Sequence, residues 1–165
     1  MGGEFRPDRI LSVLNEHGVE FVLIGGLAGA AYGSPRVTTD VDVTPLRGKG
    51  NLERLSAALT ELGARIRTEE DVAGFEFRHD ADSLARVETL NLVTDGGDLD
   101  ITFVPAGTRG FEDLRRDAVS MVLFETPMLV ASLADVIRSK EAAGRLKDLA
   151  ELPTLRRLLE KQGRR

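Results

Sequence analysis

Apolar residues recur at helical or strand spacing along the first third of the chain, and they predict alternating helices and strands. Helical spacing predicts helices over residues 7–17 and 52–62, each ended by a glycine. A continuous apolar run predicts a buried strand over 20–24, and small residues predict a short helix over 27–32. Acidic and apolar residues alternate over 40–43, which predicts a strand with one polar and one apolar face.

The middle of the chain has patterns typical of β-structure. Apolar runs predict strands over residues 87–93 and 99–104, and Gly96-Gly97 between them predicts a tight hairpin. Residues 75–78 are a further strand candidate. The chain therefore combines several short strands with the helices predicted on either side of them.

The last part of the chain predicts two helices, over residues 133–145 and 147–161. Pro153 lacks an amide hydrogen, so it predicts a new start or a kink near the beginning of the second helix. The chain has no internal repeat and no long linker. We therefore expect one domain, with a core over residues 1–132 and a C-terminal helical segment over 133–165 packed on it.

Composition excludes several classes of protein. With 165 residues, 42% of them hydrophobic and 30% charged, the chain has the composition of an ordered globular domain. It contains no cysteine, which excludes disulfides, thiolate metal sites and cysteine nucleophiles, and its two histidines are too few for a typical zinc site. It has no signal pattern and no membrane-spanning apolar run, so we expect a cytoplasmic protein with no membrane partner.

The charge is unevenly distributed along the chain. The formal net charge is −5, but residues 136–165 carry nine basic and four acidic side chains, so the remainder is strongly acidic. Such a division is compatible with a metal ion on the acidic part and a polyanion on the basic part. The alternative is a solvated, arginine-rich surface helix, which the charge distribution alone favours.

Two acidic residues on one predicted strand are the strongest chemical signal. Asp40 and Asp42 lie two residues apart, so their side chains share a face of the strand about 7 Å apart. Carboxylates this close repel each other, and a hard cation such as Mg²⁺ would relieve the repulsion. Asp100, on a later predicted strand, is a candidate third carboxylate if the two strands are neighbours. The alternative is a solvent-facing sheet edge with no bound ion.

A glycine pair follows the first predicted strand and opens the short helix. Gly25 and Gly26 would let the backbone approach a phosphate closely, although a tight strand-to-helix turn explains them equally well. The dinucleotide-binding fingerprint fails because it requires glycine where the chain has Leu27, and no phosphate-binding Gly-Lys-Ser/Thr pattern occurs.

Together, these motifs resemble the nucleotidyltransferase superfamily with the polymerase-β-like fold. The family pattern has a glycine pair on a short helix, an acid-x-acid strand about a dozen residues later, and a third acid on a later strand. The matching positions are residues 21–26, Ala30, Gly33, Arg36, Thr38, Thr39, Asp40-Val41-Asp42 and Asp100. Gly26 stands where many members have serine. The resemblance implies an α/β (α+β) fold whose mixed sheet is flanked by helices.

The segment over residues 139–148 resembles the AbiEii-type branch of this superfamily, which includes toxins of toxin–antitoxin pairs. The resemblance implies a Mg²⁺ ion held by Asp40, Asp42 and Asp100. The residues that it implies for catalysis are these three aspartates and Lys140. The residues that it implies for nucleotide binding are Gly25, Gly26, Arg36, Thr39, Arg145 and Asp148.

The resemblance implies a Mg²⁺-dependent enzyme that moves a nucleoside monophosphate (NMP) from a nucleoside triphosphate (NTP) to an acceptor hydroxyl. The acceptor would be the 3′ end of a tRNA, another RNA, a protein hydroxyl or a small molecule such as an antibiotic. As a toxin, the protein would have an antitoxin protein as a partner. A non-catalytic, antitoxin-like regulatory module on the same fold and a scaffold with a solvent-facing acidic strand are the alternatives.

Overall fold

Seven helices and seven strands make up the part of the chain described by the computed structural model, residues 3–164. In chain order they are α1 (Pro7–Glu16), β1 (Phe21–Ile24), α2 (Gly25–Ala31), β2 (Asp40–Pro45), α3 (Lys49–Glu61), β3 (Arg65–Ile66), α4 (Ala81–Leu84), β4 (Thr89–Thr94), β5 (Gly97–Thr102), α5 (Phe111–Asp117), β6 (Val119–Leu123), β7 (Thr126–Val130), α6 (Leu133–Ala143) and α7 (Leu146–Gly163). The described residues leave out Met1 and Gly2, at the start of the predicted core, and Arg165, at the end of the predicted C-terminal segment.

The strands form one mixed sheet in the order β3-β4-β5-β2-β1-β7-β6. Strand β2 is antiparallel to β1 and parallel to β5, and β1 is parallel to β7. The predicted hairpin around the glycine pair is present, because β4 and β5 are antiparallel and joined at Thr94 and Gly97. The prediction of an α/β (α+β) fold with a mixed sheet flanked by helices is confirmed.

The core lies between the sheet and the apolar faces of the helices. Helix α1 buries Ile10 and Leu14 completely, as its helical spacing predicted, and strand β2 buries Val41 on the face opposite to its two acids. Leu152 and Leu155 of α7 belong to the same buried cluster, so the last helix contributes to this core. The division of the chain at residue 132 stays a prediction.

Two local predictions are wrong. Residues 75–78 do not form a strand: Phe75 makes a single bridge to Ile66, and its half-exposed side chain adds little core packing. Helix α7 runs through Pro153 without the new start that was one of the two expectations there; the proline is exposed and lacks only its own amide hydrogen, and the kink stays a prediction. Among the described helices, none combines the length and apolarity that a bilayer crossing requires.

Candidate active site

The pairing register of two strands brings the three predicted carboxylates together. Strands β2 and β5 are parallel neighbours, and Asp42 lies directly opposite Asp100. Asp40, Asp42 and Asp100 each offer a carboxylate oxygen within 4.8 Å of the others. Because β2 is an interior strand with a cleft beside it, the alternative of an open, solvent-facing edge is wrong. These three residues are called the acidic triad below.

The acidic triad carries more negative charge than its surroundings compensate. Burial, together with repulsion from Asp40 and Asp100, raises the pKa of Asp42 to about 7. Burial raises the pKa of Asp100 to about 6 against the opposing effect of the Arg67 guanidinium, and Asp40 adds to the rise. Three undercompensated carboxylates suit a hard divalent cation, which takes oxygen ligands and removes the repulsion between them.

Helix α2 begins directly against the acidic triad. Gly25 has a φ of +71°, and a Cβ atom there would lie 2.8 Å from Cγ of Asp42, so only glycine fits this position. A Cβ atom at Gly26 would lie 3.1 Å from the Thr38 hydroxyl, which itself donates to the backbone oxygen of Asp40 at 3.1 Å and to its carboxylate at 3.3 Å. Thr38 therefore orients Asp40, and the glycine pair leaves the backbone of α2 open to the cleft.

Replacing Gly25 with alanine tests this close approach. We expect Gly25→Ala to weaken divalent-cation binding at least tenfold, because the new methyl group would displace the Asp42 carboxylate. Gly63→Ala is the matched control: Gly63 has a similar φ of +61°, but a methyl group there would have no neighbouring atom within 4 Å. Both variants carry a backbone cost of about 1–2 kcal/mol, and equal metal affinities by calorimetry would contradict the proposed overlap.

The cleft beside the acidic triad has a volume of about 430 Å³, which is in the range of small-molecule sites. All ten candidate residues named from the sequence line it: Gly25, Gly26, Arg36, Thr39, Asp40, Asp42, Asp100, Lys140, Arg145 and Asp148. The structure therefore brings together one set of residues that the sequence distributes over more than 120 positions. Their functional roles stay predictions.

A second wall of the cleft comes from α6 and α7 and carries basic side chains. The buried Asp148 carboxylate accepts hydrogen bonds from Arg145 at 2.6 and 3.3 Å and lies 3.6 Å from Nζ of Lys140. Burial alone would raise the pKa of Asp148, but the bonds from Arg145 and the charge of Lys140 outweigh burial and lower it. Asp148 is thus ionised and fixes two cations at the edge of the cleft.

Three charged residues at the site were given no role from the sequence, although Lys147 lies in the segment over 139–148 that resembles the AbiEii-type branch. Arg67 donates to Asp100 at 2.9 Å and lies 3.1 Å from Asp98, so it braces the third carboxylate. Lys147 lines the cleft, and its positive charge partly opposes the rise in the pKa of Asp42. Glu151 is buried beside Lys140 at 3.1 Å. The sequence contained one weak indication of the position of Glu151: it follows Asp148 by three residues and so shares the same face of the helix.

The chain matches no protein-family model and no curated protein sequence. It does resemble solved structures. The lincosamide antibiotic adenylyltransferase LnuA, bound to lincomycin, is 13% identical with a TM-score of 0.63, over 94% of this chain and 99% of LnuA. TM1012 from Thermotoga maritima, assigned as a nucleotidyltransferase, is 19% identical with a TM-score of 0.50, over 93% of this chain and 89% of its own. The chain therefore has the fold of these nucleotidyltransferases.

Proposed function

We propose that this protein is a Mg²⁺-dependent nucleotidyltransferase that moves an NMP from an NTP to an acceptor hydroxyl. The observation that carries the proposal is the acidic triad, which lies in a cleft facing the basic side chains of α6 and α7. The likeness to LnuA and TM1012 in fold supports it. In this reaction the acceptor oxygen bonds to the α-phosphorus, the bond to the bridging oxygen breaks, and pyrophosphate leaves.

The acidic triad would hold the metal ion. A Mg²⁺ ion held there would supply positive charge to the phosphate oxygens, where negative charge develops during transfer. Asp40 and Asp42 hold it in this proposal, and Thr38 keeps the Asp40 carboxylate oriented. Asp100 completes the metal site or accepts the proton of the acceptor hydroxyl, with Arg67 holding one of its oxygens.

The opposite wall would bind the polyphosphate. Lys140 and Arg145 line the cleft and are held by buried acids, so little side-chain entropy is lost when they bind phosphate. Arg36 and Thr39 line it from the segment before β2, and the backbone of Gly25 and Gly26 faces it from α2. Fixed cations aimed at the phosphates stabilise the transition state without reorganisation.

The finer parts of the hypothesis concern the acceptor and the biological role. We propose RNA, with the 3′ end of tRNA first, as the acceptor to test, because Lys140, Arg145 and Lys147 of the basic C-terminal segment line the cleft. Membership of the AbiEii-type branch, action as a toxin and pairing with an antitoxin protein belong to the same proposal. Incubation with an NTP labelled on the α-phosphate, Mg²⁺, total RNA and a hydroxyl-bearing antibiotic identifies the acceptor.

Thermal unfolding tests NTP binding directly. At an NTP concentration of 100 times Kd, mass action adds about 2.7 kcal/mol, which raises Tm by roughly 5–10 °C for a chain of this size. We expect this rise with Mg²⁺ and the preferred NTP together. No rise with any of the four NTPs at millimolar concentration would favour the alternative, a non-catalytic regulatory module on the same fold.

A further inference from the structure

Glu151 is a buried carboxylate that connects three parts of the cleft. Its side chain is 3% exposed, and its Oε1 atom lies 3.1 Å from Nζ of Lys140 and accepts a hydrogen bond from Nη1 of Arg36 at 3.1 Å. Its Oε2 atom accepts a hydrogen bond from the Ser34 hydroxyl at 3.0 Å. One side chain of α7 thus holds a lysine of α6 and two residues of the segment between α2 and β2.

Helix α2 also packs directly on this carboxylate. A Cβ atom at Gly29 would lie 3.1 Å from Oε2 of Glu151, so the backbone of α2 approaches the carboxylate more closely than most side chains allow. The same helix begins at Gly25, against Asp42 of the acidic triad. Glu151 is therefore in contact with the same helix that approaches the acidic triad.

Stability alone does not account for such an arrangement. Burying a carboxylate with its cations costs desolvation energy that their attraction often fails to repay, and apolar residues of similar volume commonly stabilise a fold better. Yet both cations that share Oε1 of Glu151 also line the cleft, and Arg36 is fixed further by a 3.0 Å hydrogen bond to the backbone oxygen of Lys147. The geometry favours a role in placing charge at the cleft wall.

We propose that Glu151 is a positioning residue, which holds the ammonium group of Lys140 and the guanidinium of Arg36 where the phosphates of an NTP bind. This inference rests on the proposed function. The charges of the three side chains predict how binding should change. The single negative charge of Glu151 is shared by two cations, so net positive charge remains to bind the polyphosphate. Removing the carboxylate makes the wall more positive, and charge alone would then tighten NTP binding. Positioning instead requires that binding weakens.

The experiment is calorimetric titration of the full chain with each NTP in the presence of Mg²⁺, below the Tm of every variant. We expect Glu151→Gln to weaken binding of the preferred NTP about tenfold. Lys140→Met should also weaken it, and the double variant should lose less than the sum of the two single losses, because Glu151 acts partly through Lys140 and partly through Arg36. A purely structural role for Glu151 would lower Tm and leave Kd unchanged.

The matched control is Glu141→Gln. Glu141 also joins α6 to α7, through a 2.7 Å ion pair with Arg156, but this pair is exposed and Glu141 does not line the cleft. We expect its Kd to equal that of the unmodified protein. Ser34→Ala removes one hydrogen bond to Glu151 and keeps every charge; we expect Kd to rise about twofold to threefold, which serves as the test if Glu151→Gln does not fold.

The outcomes separate the two claims. Binding by the unmodified protein, together with equal or tighter binding by folded Glu151→Gln, overturns this inference and leaves the proposed function standing. If Glu151→Gln does not fold, an unchanged Kd for Ser34→Ala overturns the inference. If the unmodified protein binds none of the four NTPs, the proposed function is overturned and this inference with it.

Discussion

Asp42→Asn is expected to lower the rate of nucleotidyl transfer by about 1,000-fold or more while the protein stays folded. Asp42 lies opposite Asp100 on the neighbouring strand and directly against Gly25 at the start of α2. Amide oxygen carries no net charge and binds Mg²⁺ far more weakly than carboxylate. A loss of about 4 kcal/mol in transition-state stabilisation corresponds to this factor.

Asp98→Asn is the control for this activity loss. Asp98 lies outside the acidic triad, on the same face of β5 as Asp100; Asp98→Asn removes one charged partner of Arg67 and leaves the hydrogen bond from Arg67 to Asp100. We expect its rate to stay within about threefold of the unmodified protein. Initial rates at saturating NTP, with circular dichroism to verify folding, provide the comparison. Equal rates for Asp42→Asn and the unmodified protein would exclude Asp42 from the reaction.

The same Asp42→Asn variant is expected to be more stable than the unmodified protein when metal is removed. The pKa of Asp42 rises on folding from 3.8 to about 7, so at neutral pH the fold is destabilised by keeping this carboxylate ionised. Each pKa unit corresponds to 1.36 kcal/mol, which sets an upper limit of about 4 kcal/mol for the gain. A residue kept at such a cost is typical of a functional site.

The pH dependence of this gain has a definite sign. Because folding raises the pKa of Asp42, the folded state binds more protons than the unfolded state between pH 4 and 7. The contribution of Asp42 to the free energy of unfolding of the unmodified protein therefore falls as the pH rises through that interval. The difference between variant and unmodified protein should therefore be small near pH 4 and largest above pH 7. Urea unfolding in the presence of a chelator measures it.

Two controls accompany the stability measurement. Asp117→Asn, at an exposed position at the end of α5, should change the free energy of unfolding by less than about 0.5 kcal/mol at every pH. Adding Mg²⁺ should stabilise the unmodified protein more than Asp42→Asn and so reduce the difference between them. A variant less stable than the unmodified protein above pH 7 would contradict the assigned burial and repulsion of Asp42.

The chemistry of β2 could be predicted from the sequence because strand geometry is local. Residues two apart share a face, so Asp40 and Asp42 had to lie together whatever the rest of the fold. Their meeting with Asp100 depended on β2 and β5 being neighbours in register, which no local pattern specifies. That part came from the family resemblance, and the structure confirms the convergence.

The residues that sequence analysis missed depend on long-range contacts. Arg67 follows a strand of only two residues, too short to produce an alternating pattern, and meets Asp100 through the pairing of β3, β4 and β5. Glu151 lies in a basic helix whose composition is typical of a solvated surface. Its burial depends on contacts with Gly29, Ser34 and Arg36, all more than 110 positions away in the sequence.

The fate of each phosphate of the NTP tests the central claim most directly. The protein is incubated with Mg²⁺, the candidate acceptors and NTP labelled either on the α- or on the γ-phosphate, with Asp42→Asn in parallel. We expect α-label to enter an acceptor, γ-label to be released in pyrophosphate, and Asp42→Asn to transfer neither label to an acceptor. Transfer of γ-label to the acceptor, or α-label transfer that survives in Asp42→Asn, would contradict nucleotidyl transfer by the acidic triad.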